Sequence, residues 1–147
     1  MPVRGRGVDL DTMSVIEAQI TSSVSISATT SATGSVVLTL GPFTLEGPKN
    51  LYLEAFTPVL VKGTTNVSLE WWLDGVPGTG TLLTVANTLL TGNVAPYYSV
   101  VRTPNVANGT HTLRLAGFVD AGTGTFTAGA GTPTATNPNA WGRAWVA

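Results

Sequence analysis

Between Asn66 and Asp74 the chain alternates with a period of two: Val67, Leu69, Trp71 and Leu73 fall on one side, Ser68, Glu70, Trp72 and Asp74 on the other. Only an extended strand sorts side chains in this way. The same alternation returns in Ile20, Val24, Ile26 and Ala28 spaced by Ser and Thr, in Val36, Leu38 and Leu40, and in Leu51, Leu53 and Ala55 set against Tyr52, Glu54 and Phe56. It resumes over Tyr97 to Thr103, Gly109 to Asp120, Gly124 to Ala130 and Ala140 to Ala147. Turn formers separate the segments: Ser31-Ala-Thr-Gly34, Gly41-Pro42, Gly63-Thr-Thr, Asp74-Gly75 and Pro77-Gly-Thr-Gly80. Some eight or nine short strands spaced about ten residues apart predict an all-β fold, an antiparallel β-sandwich or jelly roll.

Several local expectations follow. Ser31 to Gly34 is read as the turn of a first hairpin whose return strand ends at Gly41-Pro42, and Pro58 marks a bulge or an edge. Thr81 to Leu90 is the one stretch that reads equally well as a helix. Gly122 to Asn139 reads as a long loop or a strand pair. Tyr97 and Tyr98, adjacent on a strand, point to opposite faces, and Ala140 to Ala147 belongs to the core sheet with Trp141, Arg143 and Trp145 on one side.

What the alternation leaves for the surface is unusual. Only 10% of the 147 residues are charged, against about 25% in a typical domain. Thr and Ser supply 24 and 9 residues, so the surface is hydroxylated rather than ionised. With 7 Lys+Arg against 8 Asp+Glu there is no basic footprint for nucleic acid or anionic lipid, and neither is expected as a partner. No run approaches the ~18 apolar residues of a membrane span, and residues 1–19 lack the apolar stretch of a signal peptide. The charge is uneven. Arg4, Arg6, Asp9, Asp11 and Glu17 hold five of the fifteen formal charges, so residues 1–18 read as an N-terminal arm and 19–147 as the sandwich domain. Within the arm, Met13 to Ala18 forms either a short helix or an extended segment lying on a neighbouring subunit. Arg4, Arg6, Asp9 and Asp11 are its candidate partner contacts.

Chemistry finds little material. There is one His and no Cys, so His111 has no second imidazole or thiolate with which to share a metal, and its phase with Leu113 and Leu115 places it in or at the rim of the core. No G-x-S-x-G elbow accompanies it. Glu70 and Asp74 share a strand face, but four residues of strand hold their Cα atoms about 13 Å apart, too far for a retaining glycosidase pair. The Gly-rich segments are turns that match no phosphate loop. No catalytic, metal or cofactor residues are therefore expected, and the chain reads as a non-enzyme. Aromatic residues carry more information: Trp72 lies on the polar side of its strand, and Trp141 and Trp145 raise the same question of what covers them. A sugar ring, a neighbouring subunit or a second layer of the same chain would each do so.

The block Val67-Ser-Leu-Glu-Trp-Trp-Leu-Asp-Gly75, followed some thirty residues later by Asn108-Gly-Thr-His-Thr-Leu-Arg-Leu115 and a Gly-Thr-rich strand, resembles the β-sandwich structural proteins of tailed-bacteriophage virions. The resemblance implies a capsid decoration, head-fibre or tail-tip domain: a non-enzymatic, typically trimeric protein, made in the host cytoplasm, whose arm reaches the major capsid protein or another virion protein. The alternative is a carbohydrate- or receptor-binding head of a tail or fibre. Trp72, Trp141 and Trp145 would serve as contacts in either case.

Overall fold

The computed structural model describes residues 8–9, 15–64, 66–89, 94–128, 131–132, 135–136 and 139–147. Arg4, Arg6 and Asp11 lie outside them. The elements are β1 (Val8–Asp9), β2 (Ile16–Ile20), β3 (Val24–Ile26), a 3-10 turn (Ser31–Thr33), β4 (Ser35–Leu45), β5 (Leu51–Val61), β6 (Val67–Leu73), β7 (Thr81–Leu89), β8 (Val94–Arg102), β9 (Gly109–Phe118), β10 (Gly124–Phe126), β11 (Gly131–Thr132), β12 (Ala135–Thr136) and β13 (Ala140–Val146).

Two sheets face each other as an antiparallel β-sandwich of jelly-roll type. The first has the order β1-β4-β9-β6-β7, the second β2-β13-β5-β10-β3, with β8 on the other edge of β5. Every pairing in them is antiparallel except β1 with β4. β11 and β12 form a separate small hairpin. Between the sheets lie Leu40, Phe43 and Leu45 of β4, Leu51 and Leu53 of β5, Leu69 and Trp71 of β6, and Leu113 and Leu115 of β9, all fully buried.

Several expectations change. The segment around Val24–Ile26 and the strand after Gly34 do not form a hairpin: β3 pairs with β10 in the second sheet, β4 with β9 in the first. The Ser31–Thr33 turn is thus a crossover between layers. β4 does not end at Gly41-Pro42 but runs on to Leu45 through a cis Gly41–Pro42 peptide and a register shift between Leu40 and Phe43. That extra residue explains why Leu40 and Phe43, three apart, both point inward: the bulge resets the alternation by one. Gly41 adopts φ +107, a backbone conformation that glycine takes without strain. The expected break at Pro58 behaves alike, with a shift between Thr57 and Leu60 in the β5–β8 ladder. Thr81–Leu89 is a strand, held by its ladder to β6. Ile16 to Ile20 is extended rather than helical and pairs with β13, so Ile16, Glu17 and Ala18 of the segment read as an arm sit within the second sheet.

The layers approach closely at two glycines. A Cβ placed on Gly142 of β13 would overlap Leu38 Cδ2, and one on Gly117 of β9 would lie 2.7 Å from Ile26 Cδ1. Gly142→Ala is expected to lower stability by about 1–3 kcal/mol through overpacking. An unchanged denaturation midpoint would mean that Leu38 moves aside freely.

Tyr97 and Tyr98 do point to opposite faces. Tyr97 is buried, and its hydroxyl meets Ser99 Oγ at 2.6 Å. Burial pushes its phenol up from 10.0 to about 12, against a smaller opposing effect of the Ser99 hydrogen bond. The unfolded chain releases this proton first, so stability is unaffected below pH 10 and falls by about 1.4 kcal/mol per pH unit between roughly 10 and 12. Tyr97→Phe should flatten most of that slope in denaturation series at stepped pH; an equal slope in the variant would place the alkaline loss elsewhere.

Candidate functional site

The C-terminal strand reads Ala-Trp-Gly-Arg-Ala-Trp, small residues alternating with large ones. Ala140, Gly142 and Ala144 turn inward and let the second sheet sit close to the first, so Trp141, Arg143 and Trp145 must stand on its outer face. There they meet their neighbours in rows. Across β2, β13, β5 and β8 the pairing aligns Gln19, Trp141, Phe56 and Tyr98 in one row and Glu17, Arg143, Glu54 and Val100 in the next. A third row pairs Trp145 with Tyr52 and Tyr52 with Arg102.

The rows are knit together by side chains. Trp141 lies 5.9 Å from Phe56 in a stacked arrangement and 6.4 Å from Tyr98 edge-on, while Trp145 lies 5.6 Å from Tyr52. The Arg143 guanidinium sits 4.1 Å over the Trp141 ring, a cation–π contact. Its Nε is 2.8 Å from Glu54 Oε2, a charge pair whose N–H is not aligned as a hydrogen bond. Tyr98 donates its hydroxyl to Glu54 Oε1. That hydrogen bond, with burial and the carboxylate's charge behind it, raises the Tyr98 phenol above its usual range, and Arg143 opposes the shift. Glu54 is therefore a nearly buried carboxylate held between an aromatic hydroxyl and a guanidinium. Around it Tyr98 is 58% exposed and Val15 50%. An open pocket of about 300 Å³ is bounded by Val15, Glu54, Arg143, Trp145 and Val146.

Trp72 has a different fate. It is only 6% exposed in the single chain, so a second layer of the same chain covers it and little of the indole is left for an outside partner. On the same face Ser31 Oγ donates to Glu70 Oε2 at 2.6 Å, and the Ser31–Thr33 turn packs against the loop after β6 so closely that a Cβ on Gly78 would lie 2.6 Å from the Ala32 carbonyl. The indole Nε1 atoms of Trp71 and Trp72 are buried without a hydrogen-bond partner among the described residues.

His111 is buried as its phase with Leu113 and Leu115 requires, and it meets neither Asp120 nor Glu70 but Asp74. Nδ1 lies 2.7 Å from Asp74 Oδ2 and Nε2 2.9 Å from the Ala107 carbonyl. Asp74 adopts φ 55, accepts the Thr112 N–H on Oδ1 at 3.0 Å and donates its own N–H to the Thr112 carbonyl at 2.9 Å. At the other end of the same strand pair, Asp120 and Asn66 exchange side-chain-to-backbone hydrogen bonds of 3.2 and 3.0 Å. The Asp-Gly and Gly-Thr-His-Thr segments are thus two halves of one clamp joining β6 to β9. Among the described residues no three His, Cys, Asp or Glu side chains are grouped as metal ligands.

Asp9, the one candidate arm residue among those described, lies in β1 opposite Thr44. Sequence reasoning placed Trp141, Arg143 and Trp145 on one side of their strand, as the structure has them, but did not single out Glu54 or Tyr98 as their companions. The opposed faces of Tyr97 and Tyr98 were the available signal; the pairing of β5 with both β13 and β8 was not.

No family model and no curated protein matches this chain. Among solved structures, it is similar to Eiger TNF from S. frugiperda (TM-score 0.49, 11% identity, 96% of this chain and 92% of that one). It is also similar to a chain of infectious bursal disease virus Gx strain (TM-score 0.42, 16% identity, 91% and 31%) and to the EclA C-terminal domain, a sugar-binding protein (TM-score 0.39, 8% identity, 78% and 75%). At such values the likeness is one of β-sandwich architecture and carries nothing about function.

Proposed function

We propose that the chain is a non-enzymatic virion structural protein that decorates or stabilises a shell as a homo-oligomer, a trimer by its resemblance to phage proteins, and engages the major capsid protein or another virion protein through its N-terminal segment. The observation that carries this reading is β1. Val8 and Asp9 add in parallel to the edge of the first sheet, opposite Phe43 and Thr44. An edge strand of two residues makes few backbone hydrogen bonds, so the same segment is able to trade β4 of its own chain for that of a neighbour. The opposite edge of that sheet is β7, where Leu82 and Val85 are 43% and 53% exposed; an apolar sheet edge of this kind is one that proteins cover by association. The non-enzymatic reading is supported by His111, whose Nε2, the nitrogen a general base would use, is engaged by the Ala107 carbonyl.

Deleting residues 1–14 leaves Ile16 in the core and is expected to give a folded domain that no longer binds its assembly. Co-sedimentation with capsids assembled in the absence of this chain measures the loss. Unchanged binding, or a truncated chain that fails to fold, would contradict the proposal.

A further inference from the structure

We infer that the pocket beside Trp145, on the outer face of the second sheet, is a binding site for a neutral saccharide. Trp145 forms its apolar wall and is held in place by Tyr52, so an indole surface is available for the C–H face of a sugar ring. The polar groups lining it are the Glu54 carboxylate and the Arg143 guanidinium, one an acceptor and the other a donor. Sugar hydroxyls donate and accept together, so a fixed donor–acceptor pair suits two hydroxyls on neighbouring carbons. The two charges cancel, and Glu17 lies beside Arg143 in the row, so nothing here favours a phosphate, a sulfate or a sialyl carboxylate. Glu54 is also pinned by Tyr98, which gives the pocket the preorganised carboxylate that polyol recognition requires. At about 300 Å³ the space is at the small end of ligand sites and fits one ring of a longer glycan. A protein surface docked here would bury the Glu54–Arg143 pair away from water, a cost that sugar hydroxyls offset and apolar side chains do not.

The inference is independent of the assembly reading, because it uses the second sheet while the N-terminal segment engages the first. Its test is an array of neutral and sialylated oligosaccharides probed with the full chain, followed by tryptophan-fluorescence titration with the strongest neutral hit. Saturable binding to neutral glycans is expected, weakened about tenfold or more by Trp145→Ala and also weakened by Glu54→Gln. Trp72→Phe should leave the affinity unchanged. No saturable neutral hit, a preference for sialylated glycans, or an unaltered affinity in a folded Trp145→Ala variant would each overturn the proposal. Loss of assembly with sugar binding intact, or the reverse, tells the two readings apart.

Discussion

Replacing Asp74 with alanine is expected to destabilise the fold by about 3 kcal/mol, a large effect for a residue at a hairpin turn. The loss has three parts. Thr112 N–H and His111 Nδ1 lose a charged acceptor. The buried imidazole is left without its Nδ1 partner, and alanine must adopt φ 55, which aspartate tolerates better. Because the Asp74 side chain is 46% exposed, water takes over part of the lost hydrogen bonding, and the loss stays below the ~5 kcal/mol reached by fully buried pairs. Asp74→Asn keeps an acceptor for Thr112 and a tolerated backbone but offers the ring no anion, and should fall between wild type and Asp74→Ala. The decisive comparison is a double-mutant cycle with His111→Ala by urea denaturation. A coupling of about 1 kcal/mol or more is expected, whereas additive losses would show that the 2.7 Å contact contributes nothing of its own.

The second large effect contrasts two adjacent tryptophans. Trp71 is fully buried between the sheets, and Trp71→Ala should cost about 3–5 kcal/mol, or prevent folding. Trp72, on the other face of β6, is 6% exposed, and its indole N–H is buried without a partner among the described residues. Phenylalanine at position 72 keeps most of the ring and removes an unpaired donor, so Trp72→Phe should fall within about 1 kcal/mol of wild type, on either side. Thermal unfolding of both variants checks the contrast. A Trp72→Phe variant as damaged as Trp71→Ala would mean that the Trp72 N–H has a partner in solution, a ligand or another subunit, and would restore Trp72 as a contact residue.

Much of the fold was legible locally. The phase of β6, β9 and β13 followed from alternation, as did the opposite faces of Tyr97 and Tyr98 and the inward His111. What alternation does not encode is which strand lies beside which. The supposed hairpin across Ser31–Gly34 failed for this reason: a short turn with Gly suits a layer crossover as well as a hairpin, and only the partners β10 and β9 decide between them. The Gly-Pro pair read as a strand end because proline removes a ladder donor, yet a bulge accommodates it and the strand continues. Asp74 and His111 are 37 positions apart, each with an adequate local explanation as turn former and core residue, so nothing in the chain announced the clamp. The side of β13 that carries Arg143 followed from alternation, but its pairing with Glu54 did not, because it runs through a ladder linking residues nearly ninety positions apart. The scarcity of charge remains informative on these terms: Asp74 and Asp120 tie β6 to β9, and Glu54 with Arg143 forms a polar pair set among aromatic rings.

In the proposed assembly a stable sandwich is joined to its neighbours through an N-terminal segment. Light scattering coupled to size exclusion, on the full chain and on the chain lacking residues 1–14, measures this most directly. For a chain of 15.1 kDa the prediction is a species of about three times that mass for the full chain and a folded monomer after deletion. A full-length monomer, or an oligomer that the deletion leaves intact, would contradict it.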